Sequence, residues 1–206
     1  MTRLTWDSSE SIRYELGVDR GVFYPRQGPG VPWNGLVSVN EDKVGGDRTS
    51  YYHDGSKFAE GVSTTIYSAT LKALSCPREF LVCIGEREIV PGFSVTGQRH
   101  RNFNLSYRTL IGDIGYKIHL IYNASAMNSG KNNRSRGTTG AALEMEWRIN
   151  AVPPIPGNFA PTAHFVVDST EIDPTKLELL ETYLYGNDVN APAMPGLSVL
   201  IALINS

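Results

Sequence analysis

Histidine is the residue type in this sequence best suited to acid–base chemistry or metal binding, and it occurs at His53, His100, His119 and His164. Both kinds of chemistry need titratable groups that converge on one point. These histidines are scattered, without the short spacings typical of metal ligands. His119 and His164 fall in predicted strands, where a hydrogen-bonded structural role is the favoured interpretation. The sequence therefore predicts no catalytic residue, no metal site and no cofactor.

Other signatures of chemistry are also missing from the sequence. It contains no G-x-S-x-G, P-loop or H-E-x-x-H motif and no G-x-G-x-x-G after a strand. Cys76 and Cys83 stand at a spacing that fits no common zinc or redox pattern, so both are predicted to be buried or half-buried thiols. A hydrolase would need His, Asp and Ser to converge, and an activity lost on substitution of His119 or His164 would favour it. The favoured interpretation is that the protein is not an enzyme.

A basic segment, residues 127–140, is a candidate contact surface. It carries Lys131, Arg134 and Arg136 and no acidic residue. The segment is longer than a plain hairpin connection, and long loops in compact domains are usually functional or mobile. Three charges without interleaved aromatic residues make a poor nucleic-acid platform. An acidic protein surface, or water alone, is therefore favoured over nucleic-acid phosphate as the partner of this segment.

The elements that must position these residues are predicted from the alternation of apolar and polar side chains. In the segment 102–111, apolar residues alternate with polar ones, which is typical of a strand with one buried and one wet face. In the segment 116–124, Ile118 and Leu120 face one way while His119 faces the other. The glycines between the two segments are typical of a hairpin turn.

Further strands are predicted at 143–150 and 164–168, with shorter candidates at 12–18, 22–24, 36–39, 49–52, 62–71 and 93–96. A single helical turn is predicted at 77–83. One amphipathic helix is predicted over about 173–185, because Asp173 is a typical N-cap, Pro174 fits the first helical position and Gly186 supplies a stop. These elements predict a mainly β protein, an antiparallel β-sandwich or barrel with one flanking amphipathic helix.

The length of the chain limits the number of domains that it can form. A chain of 206 residues fits one domain, which is assigned to residues 1–190 and followed by a C-terminal arm over 191–206. The arm is apolar beyond a proline-containing break, and its candidate docking residues are Leu197, Leu200, Ile201 and Ile204. Such side chains must be covered. The sequence leaves open whether the chain's own core or a partner covers them.

Charge and hydropathy exclude further classes of protein. Lys and Arg number 19 and Asp and Glu number 21, for a net charge of −2, which argues against a dedicated DNA-binding domain. The first residues lack the apolar stretch of a signal peptide, and no apolar run approaches the length of a membrane span. We therefore expect a protein made in the cytoplasm, without a membrane partner.

Two neighbouring motifs carry a resemblance to a known family. The stretches GVDRGVFYP at 17–25 and GPGVPWNGL at 28–36 resemble the opening of major tail proteins, or tail tube proteins, of long-tailed bacteriophages that infect actinobacteria. Later pieces similar to that family follow in the same order, at 103–112, 115–124, 161–164 and 184–186. The resemblance covers about residues 1–190.

The resemblance implies a structural virion protein without catalytic residues. Its β-sandwich or barrel core would form hexameric rings that stack into the tail tube, the conduit through which double-stranded DNA leaves the capsid. In such tubes the sheets of six subunits join into one lumenal barrel, which removes exposed sheet edges. The implied partners are further copies of the chain, a tape measure protein, and tail terminator and initiator proteins. The implied location is the phage tail, assembled in the host cytoplasm.

Roles for particular residues follow as expectations from this resemblance. Lys131, Arg134 and Arg136 would lie on a loop that contacts the neighbouring ring, and the C-terminal arm would dock on a neighbour. Glu144 and Glu146, on the wet face of a predicted strand, are candidates to line the lumen, because a conduit for DNA should not neutralise phosphates.

A β-sandwich binding module without enzymatic activity is the alternative interpretation. A carbohydrate-binding or capsid-decoration protein would use exposed aromatic side chains on a wet face, for which the candidates are Trp33, Tyr51 and Tyr52. A monomer with affinity for a sugar would favour this alternative, whereas rings or filaments of uniform diameter would favour a tube protein.

Overall fold

One antiparallel sheet organises the chain. The computed structural model describes residues 13–46, 48–62, 66–128, 143–154 and 161–205. The strands are β1 (Glu15–Pro25), β2 (Val31–Pro32), β3 (Leu36–Val44), β4 (Arg48–His53), β5 (Ser56–Val62), β6 (Ile66–Ala73), β7 (Arg87–Val90), β8 (Phe93–Val95), β9 (Phe103–Ile111), β10 (Gly115–Asn128), β11 (Met145–Ala151) and β12 (His164–Asp168). The helices are α1 (Pro174–Tyr185) and α2 (Leu197–Asn205), with a short 3-10 helix at Arg78–Ile84. The predicted class, mainly antiparallel β with a flanking helix, is confirmed.

The main sheet has the strand order β2-β1-β9-β10-β11-β6-β3, and β12 pairs with β10. The sheet curls, since β1 and β3 lie near opposite ends of this order and still meet. A Cβ added at Gly21 on β1 would lie 2.9 Å from Leu36 Cδ2 on β3. The inner face of the curled sheet encloses one core, and the outer face carries the helices. The pairs β4–β5 and β7–β8 form separate two-stranded hairpins.

Aromatic rings fill the inner core. Phe80 of the 3-10 helix packs against Trp33, Phe103 and Trp147, with ring centroids 4.6, 5.3 and 5.3 Å away. Trp33 is buried, and its Nε1 donates to Ser75 O over 2.9 Å. The alternative that counted Trp33 among the exposed aromatics of a binding face is therefore wrong at this residue, because the curl of the sheet encloses it.

The outer core lies between the sheet and both helices. Ile118 and Leu120 of β10 pack there with Leu180, Leu184, Leu200 and Leu203. The start of α1 matches its prediction, because Asp173 Oδ1 accepts from Thr175 N and Lys176 N over 2.9 and 3.3 Å. The C-terminal segment that the sequence left undecided forms α2, which covers the same face of the sheet.

The outer helices correct one prediction about β9. Phe103, Leu105 and Tyr107 are buried in the inner core as their alternation predicts, but Ser106 and Arg108 on the opposite face are buried as well. This face is therefore not wet. The prediction failed because α1 lies over this face. The helix follows β9 by more than 60 residues, so the alternation of polar and apolar residues within β9 does not indicate that α1 covers it.

The remaining differences concern broken or polar strands. Strand β1 runs through the predicted segments 12–18 and 22–24 as far as they are described, with irregularities between Leu16 and Val18 and between Asp19 and Val22 that account for the break in its pattern. Strands β5 and β7 were not predicted, because both consist largely of exposed residues without a buried face. In the part of the chain that the structure describes, we find no helix with the length and apolar character of a membrane span.

Candidate functional site

The β4–β5 hairpin presents uncovered aromatic side chains. Tyr51, Tyr52 and Phe58 are 57%, 70% and 81% exposed. The hairpin turns at Asp54 and Gly55, which both have positive φ (48° and 76°), as a two-residue primed turn requires. Among the described strands, β4 and β5 pair only with each other.

The β7–β8 hairpin repeats this arrangement at a second place. Ile89, Val90 and Phe93 are exposed there by more than half. Glu88 holds the turn, because its Oε1 accepts from Gly92 N over 2.8 Å and from Arg78 Nη2. The hydrogen bond from Gly92 N, with the one from Arg78, lowers the pKa of Glu88.

These two hairpins define what we call the hairpin surface: residues 48–62 and 87–95. A two-stranded hairpin is marginally stable alone in water, and clustered exposed apolar side chains are typical of a site of protein association. The hairpin surface therefore has the character of a contact surface rather than of a catalytic site.

Of the charged residues that the sequence analysis assigned to contacts or to the lumen, the structure describes Glu144 and Glu146. Glu144 and Glu146 lie half-exposed beside each other, and Lys72 Nζ on β6 approaches their carboxylates to 3.5 and 3.6 Å. Lys131, Arg134 and Arg136 lie outside the described residues. The placement of the glutamates beside a lysine partly offsets the negative charge expected of that face.

The C-terminal arm is placed on the chain's own core. Leu200 is buried in the outer core, whereas Leu197 and Ile201 are half-buried; the side chain of Ile204 lies outside what is described. The preceding segment is also attached, since Pro192 O accepts from Gly30 N over 2.7 Å and Pro195 O accepts from the Tyr122 hydroxyl over 2.9 Å. The chain itself covers the buried part of this arm.

A polar cluster that the sequence did not predict lies on the inner face, where the curled sheet brings β3 against β10 and β12. Its members are Glu41, His119 and His164. His119 faces Val166 across the β10–β12 pair, so His164 is its diagonal neighbour on the same face. Glu41 lies opposite Ala69 of β6, which is buried in the inner core, and it therefore also faces inward.

Three polar atoms of this cluster lie close together. His119 Nδ1 is 3.1 Å from His164 Nε2 and 3.4 Å from Glu41 Oε1, and His164 Nε2 is 3.6 Å from the same carboxylate oxygen. The imidazole of His119 stacks on Tyr107, with centroids 4.5 Å apart, and the ring of His164 packs on Tyr67 at 4.6 Å. Neighbouring aromatic rings therefore fix the planes of both imidazoles.

The surroundings set the charges of the cluster. Burial alone would raise the pKa of the Glu41 carboxyl, but contacts with His119 and Tyr107 outweigh it and lower that pKa to about 2. Burial lowers the pKa of His164 to about 4, against the opposing charge of Glu41. At neutral pH the carboxyl is therefore ionised and the ring of His164 is neutral, which are the forms that bind metal ions.

The sequence contained only a partial signal for this cluster. Alternation placed His119 on the face opposite Ile118 and Leu120, which is confirmed, and it placed His164 in a strand. It gave no sign that Glu41 would meet them, because residues on β3, β10 and β12 converge only through the curl of the sheet.

A second polar contact, partly buried, lies on the outer face of the sheet. Arg108 Nε and Nη2 donate to the two carboxylate oxygens of Asp19 over 2.8 and 2.6 Å, and the guanidinium lies 4.3 Å from the ring centroid of Tyr116. The hydrogen bonds from Arg108 lower the pKa of Asp19. This pair joins β1 to β9 beneath the helices. Among the described residues no nucleophile or second acid contacts it, so we assign it a structural role.

No protein-family model matches the chain, and no curated protein matches it. The solved structures similar to it include two from PVC, an extracellular contractile injection system in its extended state. The sheath–tube complex is 11% identical with a TM-score of 0.40, covering 72% of this chain and 88% of that chain. The sheath/tube terminator is 17% identical with a TM-score of 0.40, covering 76% of this chain and 99% of that chain.

Proposed function

We propose that this protein is a structural subunit that assembles with copies of itself into stacked rings, forming the tube of a phage tail. The observation that carries the proposal is the hairpin surface, whose aromatic side chains the chain's own fold leaves in water. The resemblance of residues 17–25 and 28–36 to tail tube proteins gives the class of assembly and the expected number of six copies per ring.

The occupant of the hairpin surface is taken to be a second copy of this chain, because the sheet also offers an edge for self-association. Strand β3 has β6 as its only partner among the described strands, over a nine-residue length. Such an edge presents unpaired backbone groups that can pair with another chain. Joining sheets side by side would satisfy this edge, and the hairpins would then reach the adjacent copy or ring.

The finer roles follow from the same proposal. Glu144 and Glu146 line the lumen through which double-stranded DNA passes, and Lys131, Arg134 and Arg136 contact carboxylates of the next ring. A tape measure protein and tail terminator and initiator proteins bind the ends or the interior of the tube. The assembled location is the virion tail, and no catalytic role is assigned to any residue.

Substituting the exposed aromatics tests the proposal. A variant with Tyr51→Ser, Tyr52→Ser and Phe58→Ser should remain monomeric at concentrations where the wild type forms rings or tubes, as followed by light scattering and negative-stain microscopy. Val189→Ser is the matched control, since Val189 is 88% exposed and lies outside the hairpin surface. Tubes from the triple variant with the wild-type yield and diameter would overturn the assignment of this surface.

The same variants address the alternative of a binding module. Tyr51 and Tyr52 of β4 are both exposed, so either ring is open to a sugar. A wild-type protein that stays monomeric and binds a glycan, and that loses this binding in the triple variant, would replace the tube proposal with the binding module.

A further inference from the structure

We infer that Glu41, His119 and His164 form a binding site for a divalent transition-metal ion, and that zinc is the ion this donor set fits best. The site lies on the inner face of the sheet and shares no residue with the hairpin surface. It is independent of the proposed tube function, since it rests only on the polar cluster.

The separations of the three donor atoms match those of metal ligands. They are 3.1, 3.4 and 3.6 Å. Zinc bonds of about 2.0–2.2 Å to nitrogen and oxygen place the ligands of a tetrahedral ion about 3.4 Å apart. One point therefore lies about 2 Å from all three atoms.

A hydrogen bond outside the cluster fits the tautomer that binding needs. The Thr109 hydroxyl donates to Glu15 Oε2 over 3.0 Å, so its oxygen can accept from His119 Nε2–H, 3.1 Å away. In that tautomer, the lone pair of His119 Nδ1 faces His164 and Glu41. Supporting contacts of this kind to the second ring nitrogen are typical of metal-binding histidines.

The three facing atoms are linked by hydrogen bonds when no ion is bound. The Tyr107 hydroxyl donates to Glu41 Oε1, and one proton between His119 Nδ1 and His164 Nε2 joins the two rings. A metal ion in place of that proton would contact all three atoms at once. The ring of Tyr67 packs on His164 and closes the cluster on that side.

The donor set selects the class of ion. Two imidazoles and one carboxylate suit zinc, nickel, cobalt or copper, whereas magnesium and calcium prefer oxygen ligands alone. The side chain of Glu41 is 38% exposed, against 10% and 17% for the two histidines. The ion therefore has an entry path on the carboxylate side, where water can supply a fourth ligand.

Such an ion would join distant parts of the sheet. Glu41 belongs to β3, at one end of the strand order, whereas the histidines belong to β10 and β12. Binding would hold the curled sheet closed and raise the stability of the folded state, because the unfolded chain has no preformed site.

Metal titration of the purified, metal-stripped chain tests the inference. Isothermal titration with zinc should give one site per chain, and zinc at a hundred times its Kd should raise the Tm by about 5–10 °C. Cobalt(II) should give the visible absorption of a tetrahedral complex. The double variant His119→Gln, His164→Gln should lose binding, and Glu41→Gln should weaken it about 10- to 100-fold.

His53→Gln is the matched control, since His53 is an exposed histidine outside the cluster, and it should bind zinc like the wild type. Circular dichroism of each variant checks that it folds. If the double variant does not fold, Glu41→Gln, which keeps the size of the side chain, tests the site by itself. The absence of a zinc-dependent change in Tm and of any bound zinc in the wild type would overturn the inference. Equal binding by a folded Glu41→Gln variant and the wild type would also overturn it.

Discussion

The helix α2 and the β4–β5 hairpin both carry apolar side chains at the periphery of the fold, but only one of them is covered. Leu200 and Leu203 of α2 are buried against the outer face of the sheet. Tyr52 and Phe58 of the hairpin are more than two-thirds exposed. The chain therefore uses its C-terminal segment to complete its own core, whereas the aromatic side chains of the hairpin stay exposed.

This difference changes where assembly is expected. From the sequence, the C-terminal arm was a candidate for docking on a neighbour, and the tyrosines of β4 were candidates for a sugar platform. With Leu200 held in the outer core, the hairpin surface carries six exposed large apolar side chains, Tyr51, Tyr52, Phe58, Ile89, Val90 and Phe93. Substitutions in α2 should therefore lower the stability of the monomer, whereas substitutions in the hairpin should weaken assembly.

The largest effect on stability is expected in α2. Leu200→Ala should lower the free energy of unfolding by about 2–5 kcal/mol, because it leaves a cavity in the outer core. Deletion of residues 197–206 should lower the Tm further. Denaturant titration of the monomer measures both changes. Val199→Ala, on the exposed side of the same helix, is the control and should change the free energy little; an equally small effect of Leu200→Ala would contradict the burial of α2.

A smaller effect is expected at the ion pair beneath the helices. Asp19→Ala should lower the free energy of unfolding by about 1–3 kcal/mol at pH 7, because it leaves the buried guanidinium of Arg108 without its carboxylate. Asp188→Ala, at an exposed carboxylate, is the control. If Asp19→Ala were as stable as the control, the outer face would be wet, as the alternation of β9 first indicated.

The same pair gives a dependence on pH. Since the pKa of Asp19 is lowered in the folded state, its contribution to stability is complete above the pKa of the unfolded chain, about 3.9. It is lost as the pH falls through the lower, folded pKa. The difference in unfolding free energy between wild type and Asp19→Ala should therefore shrink below about pH 4.

The smallest effect on the monomer is expected in the basic segment. Reversal of Lys131, Arg134 and Arg136 to Glu should leave the circular dichroism and Tm unchanged and block the stacking of rings, since each exposed ion pair contributes only about 0.2–1 kcal/mol but is repeated in every copy. Wild-type assembly should also weaken with added salt. Normal tubes with normal infectivity from the triple variant would show that the segment contacts only water.

Local patterns predicted many of the elements and few of the contacts between them. The alternation in 102–111 and 116–124 predicted β9, β10 and the turn between them, and Asp173 with Pro174 predicted the start of α1. Strand β5 was missed because a hairpin that is exposed on both faces shows no alternation of apolar and polar residues. The burial of Arg108 was missed because the helix that covers it follows much later in the chain.

The candidate site shows the same division. The type and strand position of His119 and His164 could be predicted, but the sequence suggested no metal ligands because the spacing between them follows no local rule. Their diagonal contact depends on the register of β10 with β12, and the approach of Glu41 depends on the curl that brings β3 back over the sheet.

The sequence by itself determined the mainly β class, the faces of the long strands and the caps of α1, because backbone periodicity and capping are properties of neighbouring residues. The tertiary structure alone decided that α2 covers the chain's own core, that the hairpin surface stays open, and that Glu41 meets two histidines. These outcomes depend on contacts between residues far apart in the chain, which form only when the sheet has curled and the helices have packed on it.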